Sequence, residues 1–336
     1  MIKIPTENIK LIEFEYLLKI KNFFKYNEPN KDKLIALFKG KKDLESKMLK
    51  YFHDHIDKII LAPPSEIRNI QIDFIDNLKL DLVNNNQHKI QFTRFKERME
   101  KYFNSFFQRK MSISGIEYTY GRWLTKAMNV KVCPYCNHNY IFTINIEKKE
   151  NVNNKISSRP QLDHYLPKAK YPILALSIYN LIPCCTVCNK IKAEKEFSFY
   201  PYDTISREKV MFKVKSEGNY NPNQWVTGLG KTEIELEHYD ETNTLNSSTD
   251  MNTIIKQLGL AEVYNEHVEY VEEILDKIFA YNHSYYDAMI SSYEGLGKTS
   301  AQIESIIWSA YLDKVGDRPM SKLTNDILSQ LKIKRI

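Results

Sequence analysis

The 336-residue sequence lacks the long apolar runs that mark membrane and secreted proteins. No stretch approaches the roughly 20 consecutive apolar residues that a membrane-spanning helix needs. The amino terminus is interrupted by charges at Lys3, Glu7, Lys10, Glu13 and Glu15, so it has no apolar signal-peptide core. We therefore expect a soluble, cytoplasmic protein that does not enter a membrane.

Glycine and proline are also scarce, at 10 and 12 residues, and the sequence contains neither a low-complexity tract nor an internal repeat. This composition leaves little room for long flexible linkers. Hydrophobic residues make up 43% of the chain and aromatic residues 12%, which is enough to fill a sizeable core. At about 150 residues per domain, the length allows two domains.

Acidic residues are depleted in the front of the chain and enriched in its tail. Residues 1–132 carry 25 Lys and Arg against 16 Asp and Glu, residues 133–200 carry 9 against 5, and residues 201–336 carry 14 against 21. The net charges of the three segments are therefore +9, +4 and −7. A basic front and middle suit a polyanion such as DNA, whereas the acidic tail suits protein contacts.

Apolar residues recur at helical spacing through the first 130 residues. Ile9, Ile12, Tyr16, Ile20 and Phe23 mark one buried helix face. A later helix carries an apolar stripe, composed of Phe92, Phe95, Met99, Phe103 and Phe106. A second face of that helix carries Arg94, Arg98 and Lys101, which either contact phosphates or are simply solvated. The polar stretch around His53 and His55 indicates a solvated helix face rather than a metal site.

Helical spacing breaks down between residues 131 and 200, where short strand-like pieces such as "QLDHYL" and "YNLIP" surround the cysteines. Residues 209–238 offer the strand-like runs "VMFKVK" and "TEIELEH". Helical spacing returns after about residue 250. We therefore expect helical arms around a small, metal-rich centre.

The five cysteines of this chain favour metal or catalytic use over disulfides, because the sequence has no secretion signal. Cys133-x-x-Cys136 and Cys185-x-x-Cys188 each offer two thiolates from one tight turn, as tetrahedral zinc requires. The alternative is a set of buried free cysteines that behave as small hydrophobic residues. The doubled spacing favours a structural zinc site with four thiolate ligands. Cys184 stands outside both pairs and is not expected to be a ligand.

An Asp-His pair, Asp163-His164, lies in the segment between the two cysteine pairs. A carboxylate is a hard oxygen ligand suited to Mg²⁺ or Mn²⁺. An imidazole titrates near neutrality and can accept a proton from water. Alone, the dipeptide is weak support for a catalytic site, since such pairs are common on protein surfaces.

The residues around this pair form an ordered string. It reads Asp163-His164, Pro167, Asn180-Leu181, Pro183, Cys185-x-x-Cys188, Asn189 and Lys192. This string resembles the HNH endonuclease family, in which a ββα-metal fold sits between zinc knuckles. The resemblance covers about residues 131–197.

The resemblance implies a role for each matching residue. His164 looks like the general base that activates water against a phosphodiester, and Asp163 is similar to the first ligand of a catalytic Mg²⁺ or Mn²⁺ ion. Asn189 takes the place of the last metal ligand, which is asparagine here instead of histidine. Asn180 corresponds to the asparagine that braces the hairpin, and Lys192 falls where a basic residue commonly faces a phosphate.

The resemblance predicts a mainly α-helical chain, α+β overall, with a central ββα-metal core clipped by a four-cysteine Zn²⁺ site. Residues 1–130 would form a basic helical region, residues 131–200 the HNH core with its zinc knuckles, and residues 201–336 a mixed, then helical, acidic region. The stretch around the cysteines is also similar to HNH proteins encoded beside ATPases in Septu-type anti-phage systems. That similarity implies a DNA-cutting defence effector with an ATPase partner.

Two other functions stay open. A zinc module without catalytic activity could bind nucleic acid or protein, but it would need the cysteines without Asp163, His164 and Asn189. An HNH nuclease could instead serve a mobile element or a restriction system, which the motif does not separate from other kinds of defence.

Overall fold

The fold was analysed in a computed structural model, which describes residues 1–113, 116–145, 157–203, 209–216, 232–239, 249–281 and 283–333. The described residues are mixed α and β, with helices predominating over short antiparallel strand pairs. Parts of the predicted region 201–336, namely residues 204–208, 217–231, 240–248, 282 and 334–336, lie outside the described residues. No helix among the described residues is both long and apolar enough to cross a bilayer.

The chain divides into two compact units that interleave along the sequence. One unit contains residues 5–130 and 141–196. The other contains residues 1–4, 131–140 and 197–336. The first is called the hairpin unit below, because it contains the Asp-His strand, and the second is called the tail unit.

Helices form most of the hairpin unit. They are α1 (Glu7–Phe24), α2 (Ile35–Phe38), α3 (Leu44–Asp54), α4 (Ile56–Ile60), α5 (Ile67–Asn77), α6 (Asn86–Gln108), α7 (Tyr120–Met128) and α8 (Thr186–Lys192). Side-chain caps explain several of their starts: Asp43 accepts a hydrogen bond from Ser46 N, and Asn85 accepts one from His88 N. Most of the predicted apolar face of α1 is confirmed, since Ile9, Tyr16, Ile20 and Phe23 are buried, whereas Ile12 is half-buried.

Aromatic rings fill the core of this unit. The buried rings include Phe24, Phe52, Phe74, Phe95 and Phe106. The predicted solvation of His53 is wrong: its ring is buried, packs against Tyr26, and places Nε2 3.2 Å from an Asp32 carboxylate oxygen. A buried imidazole needs such a polar partner. His55, by contrast, is exposed.

The strands of the hairpin unit form antiparallel pairs. These are β1 (Lys110–Ile113) with β2 (Ile116–Thr119), β3 (Ile144–Asn145) with β4 (Ser157–Ser158), and β5 (Gln161–His164) with β6 (Leu181–Cys184). Two 3₁₀ turns, Pro172–Leu174 and Ile178–Asn180, lie between β5 and β6. Proline at the first position of the earlier turn fixes the backbone as that turn starts.

The tail unit is built around the antiparallel hairpin of β7 (Lys209–Ser216) and β8 (Thr232–Tyr239). Both strands were predicted, and both are confirmed. The helices of this unit are α9 (Thr249–Gln257), α10 (Leu260–Asn265), α11 (Val268–Ala280), α12 (His283–Gly295), α13 (Ser300–Ile307) and α14 (Ser321–Gln330). Helices α10 to α14 form one hydrophobic core with the hairpin, to which Phe212, Ile234 and Trp308 contribute.

Candidate active site

The Asp-His pair lies at the end of β5, in a hairpin that is followed by one short helix. In the register of this hairpin Asp163 is opposite Ile182 and His164 is opposite Leu181. Strand β6 leads through Cys185 into α8, which contacts β5 through Lys192. The order strand, strand, helix agrees with the expected ββα arrangement. A hairpin and a short helix also occur in unrelated folds, so this order alone does not show the family.

His164 is buried and its ring orientation is fixed by two contacts. Its Nε2 lies 3.0 Å from the carbonyl oxygen of Ala175, and its ring centroid lies 4.6 Å from that of Phe103 in α6. Because a carbonyl oxygen can only accept a hydrogen bond, Nε2 must carry the proton. In the neutral ring, Nδ1 is then left with the free lone pair.

Burial strongly favours the neutral form of this histidine. Desolvation lowers the pKa of His164 to about 3, and the positive charges of Lys168 and Lys192 act in the same direction, while the hydrogen bond to Ala175 opposes them. The ring is therefore neutral at physiological pH, and the same burial makes Nδ1 a weak base.

Asp163 and Lys192 form an ion pair inside the hairpin unit. The ammonium of Lys192 lies 3.0 Å from Asp163 Oδ2 and 3.2 Å from Oδ1, and it donates a hydrogen bond of 2.7 Å to the carbonyl of His164. The Lys192 side chain is 0% exposed. Its placement differs from the expected contact with a phosphate, because the end of α8 turns this side chain inward onto β5. We therefore interpret Lys192 as a residue that holds Asp163 and the end of β5 in place.

Asn180 is fully buried and ties the loop between β5 and β6 together. Its Oδ1 accepts a hydrogen bond of 2.8 Å from Leu166 N, and its Nδ2 donates to the carbonyls of Leu166 and Leu174 at 3.0 and 3.1 Å. Leu174 directly precedes Ala175, whose carbonyl holds His164. Asn180 therefore fixes the backbone segment that orients the histidine.

A cavity of about 340 Å³ opens beside the hairpin. Asp163, His164 and Asn189 all contribute to its wall, so three of the predicted site residues share one space. Adjacent residues of a strand normally point to opposite faces. Asp163 and His164 reach the same cavity nevertheless, and His164 is the last residue of its strand.

The donors in this cavity can be compared with what a catalytic divalent ion requires. Mg²⁺ is commonly held by one or two carboxylates, with water and substrate phosphate oxygens completing its octahedron. Asp163 and Asn189 offer one carboxylate and one amide oxygen on the cavity wall, which is compatible in kind with such a site. Lys192 lies within 3.2 Å of both oxygens of the same carboxylate, so an ion at this site would share Asp163 with the lysine.

Two contacts at this cavity involve residues that sequence reasoning missed. Phe103 belongs to a predicted core stripe, but it is half-buried and packs on the His164 ring. Lys168 lines the cavity and lies 2.6 Å from Glu100 of α6. Spacing along α6 could not separate Phe103 from its core neighbours, because all of them obey the same helical period.

The two cysteine pairs occupy tight turns. In the first turn, Asn137 N donates to the Cys133 carbonyl at 2.8 Å, and His138 N points at the Cys136 sulfur at 3.4 Å. In the second turn, the Cys185 sulfur caps the start of α8 by accepting from Cys188 N at 3.4 Å. Backbone N–H groups directed at sulfur stabilise thiolates, the form that binds a metal.

The four sulfur atoms of these pairs lie within 4.8 Å of one another, and all four cysteines are buried. A tetrahedral zinc ion with bonds of about 2.3 Å separates its sulfur ligands by about 3.8 Å, so the cluster can bind a zinc ion. Cys184 lies outside the cluster, as expected, and burial raises the pKa of its thiol well above the usual value. Among the described residues, no other group of three or more Cys, His, Asp and Glu side chains is close enough to hold a metal.

His138 and His267 form a second contact near the first cysteine turn. Their Nε2 atoms lie 2.7 Å apart, and both rings are half-buried. At this separation one imidazole donates a hydrogen bond to the other, so the contact holds His138 beside the cysteine turn.

Comparison with known proteins gives one informative similarity. The chain is 26% identical over 152 residues to the Septu protein PtuB of Bacillus thuringiensis. The match covers 39% of this chain and 56% of that relative, so it spans little more than half of PtuB. No protein-family model and no solved structure matches the chain.

Proposed function

We propose that this protein is a metal-dependent endonuclease of the HNH type that hydrolyses phosphodiester bonds of DNA. The observation that carries the proposal is the convergence of Asp163, His164 and Asn189 on one cavity, with the ring of His164 oriented by the carbonyl of Ala175. General-base catalysis requires a neutral imidazole in a fixed orientation.

In the proposed reaction, the oxygen of a water molecule attacks the phosphorus atom and transfers a proton to Nδ1 of His164. The bond from phosphorus to the leaving oxygen then breaks, and that oxygen takes a proton from solvent. Asp163 and Asn189 would hold a divalent ion, which when bound polarises the phosphate and stabilises the leaving oxygen. Asn180 and Lys192 keep the histidine and the carboxylate in position.

The test is cleavage of plasmid DNA with Mg²⁺ or Mn²⁺ by the wild type, His164→Ala and His55→Ala. Removing a general base typically lowers a rate by about 10²- to 10⁴-fold, so His164→Ala should lose cleavage. His55 is an exposed histidine outside the cavity, and its variant should cut like the wild type. Zinc content must be equal in all three proteins. Equal cleavage by His164→Ala and wild type would overturn the proposal, because cleavage would then not depend on this site.

We further propose that the nuclease is the effector of a Septu-type anti-phage system and acts with an ATPase partner. The similarity to PtuB supports this role, together with the sequence resemblance to HNH proteins encoded beside ATPases. Co-expression with a Septu-type ATPase should give a complex that survives size-exclusion chromatography, and cells carrying both genes should resist phage. Protection that persists in His164→Ala would contradict a nuclease effector.

A further inference from the structure

Helix α6 presents one face to the candidate cavity, and Phe103 marks that face. Seven residues of an α-helix turn through 700°, so positions seven apart lie about 20° from each other around the axis. Lys96 and Lys89 precede Phe103 by seven and fourteen residues. Both lysines therefore lie on the face of α6 that leads to the cavity.

The charges on this face are available to a ligand. Lys89 is exposed and Lys96 is half-buried, and neither ammonium lies within 4.0 Å of a carboxylate in the part of the chain that the structure describes. Glu100, one turn after Lys96, is instead engaged by Lys168 at 2.6 Å. Thr93, between the two lysines, turns its hydroxyl onto the Lys89 carbonyl at 2.9 Å.

The basic residues singled out from the sequence lie elsewhere on α6. Arg94, Arg98 and Lys101 are about 140° to 180° around the helix from Phe103. Arg98 is held by Glu45 at 2.6 Å. These residues face away from the cavity, whereas Lys89 and Lys96 are aligned with it.

We propose that Lys89 and Lys96 form a phosphate track, which guides the backbone of DNA along α6 into the cavity beside His164. At a rise of 1.5 Å per residue, they lie about 10 and 21 Å from Phe103 along the helix axis. These distances correspond to about three and six base-pair steps of a DNA duplex, which rises 3.4 Å per base pair. Two cations at such separations, aligned with the cavity, suit a polyanion whose charges repeat regularly.

The track rests on the proposed nuclease function, because it supplies the same cavity with DNA. Its own contribution is binding and not chemistry. Loss of the track should therefore raise KM for DNA and leave kcat nearly unchanged.

The test compares two double variants of the full chain, Lys89→Gln with Lys96→Gln, and Arg94→Gln with Lys101→Gln. Each removes two positive charges from α6, on opposite faces. Binding of a fluorescein-labelled duplex of about 30 base pairs is measured by anisotropy at several salt concentrations, in the His164→Ala background. Cleavage is measured with His164 intact.

Each phosphate contact contributes about 0.9 to the slope of log K against log salt, so the track variant should lower that slope by about 1.8 while the control pair leaves it unchanged. Equal losses of DNA affinity in the two double variants would overturn the track, because the total charge of α6 would then explain binding. A wild type that cuts DNA, with unaltered binding by the track variant, would overturn the track and leave the nuclease standing. Track-dependent binding without any cleavage would support the track while the proposed nuclease function fails.

Discussion

The ammonium of Lys192 lies 3.0 Å from a carboxylate oxygen of Asp163, and both side chains are buried in the hairpin unit. This pair joins the last turn of α8 to β5, and the same ammonium also holds the carbonyl of His164. A buried charge without its partner is strongly destabilising. The ion pair therefore connects the stability of the hairpin to the position of the candidate catalytic residues.

Lys192→Met should destabilise the protein, because it leaves the Asp163 carboxylate buried and uncompensated. Breaking such a pair typically lowers the free energy of unfolding by about 3 to 5 kcal/mol. Lys190→Met, at an exposed position of the same helix, should change it by less than about 0.5 kcal/mol. Thermal melts of both variants provide the comparison. The double variant Asp163→Asn with Lys192→Met should regain part of the lost stability. A Lys192→Met variant that melts like the wild type would contradict a stabilising ion pair.

Residue types and spacing predicted the parts of this site that depend on local chemistry. The doubled Cys-x-x-Cys pattern predicted a four-cysteine cluster and excluded Cys184, and the sulfur geometry agrees. The strand runs at residues 209–238 and the apolar face of α1 were predicted from periodicity. These features depend on residues that are close together in the sequence, so one sequence is enough to predict them.

Contacts between distant segments could not be predicted in the same way. The packing of Phe103 on His164 joins residues 61 positions apart, and no spacing rule relates them. The inward turn of Lys192 depends on Asp163 being within reach, and His53 is buried because Asp32 provides a partner. Such pairings arise from tertiary packing, which overrides the local pattern of charge.

Asn180 and Asn189 should respond differently to alanine substitution. Asn180→Ala leaves buried groups of Leu166 and Leu174 without partners, so it should destabilise the protein by about 3 kcal/mol and also impair cleavage. Asn189 is half-buried on the cavity wall, and Asn189→Ala should lower cleavage while changing stability by less than about 0.5 kcal/mol. Denaturant titration and plasmid cleavage separate the two effects. Equal melting of the two variants would contradict the bracing role of Asn180.

The purified protein should contain about one zinc ion per chain, since four thiolates complete a tetrahedral structural site. Cys133→Ser should lower the zinc content and the melting temperature together. Cys184→Ser is the matched control, because Cys184 is also buried and adjoins Cys185 but lies outside the cluster. Elemental analysis by mass spectrometry measures the metal. Retention of zinc in Cys133→Ser, or its loss in Cys184→Ser, would show that the ligand set is wrong.

Phe103→Ala should slow cleavage without changing zinc content, because the His164 ring loses the surface that holds it in register with the cavity. A displacement of about 1 Å in a reacting group can lower a rate by about 10²-fold, so we expect a fall in kcat of roughly 10-fold or more. Phe103→Leu should restore much of the rate by refilling the space, and Phe92→Ala, another half-buried phenylalanine of α6, should have little effect on kcat. A rise in KM with an unchanged kcat would instead mean that Phe103 contacts DNA directly, since loss of uniform substrate binding leaves the chemical step intact.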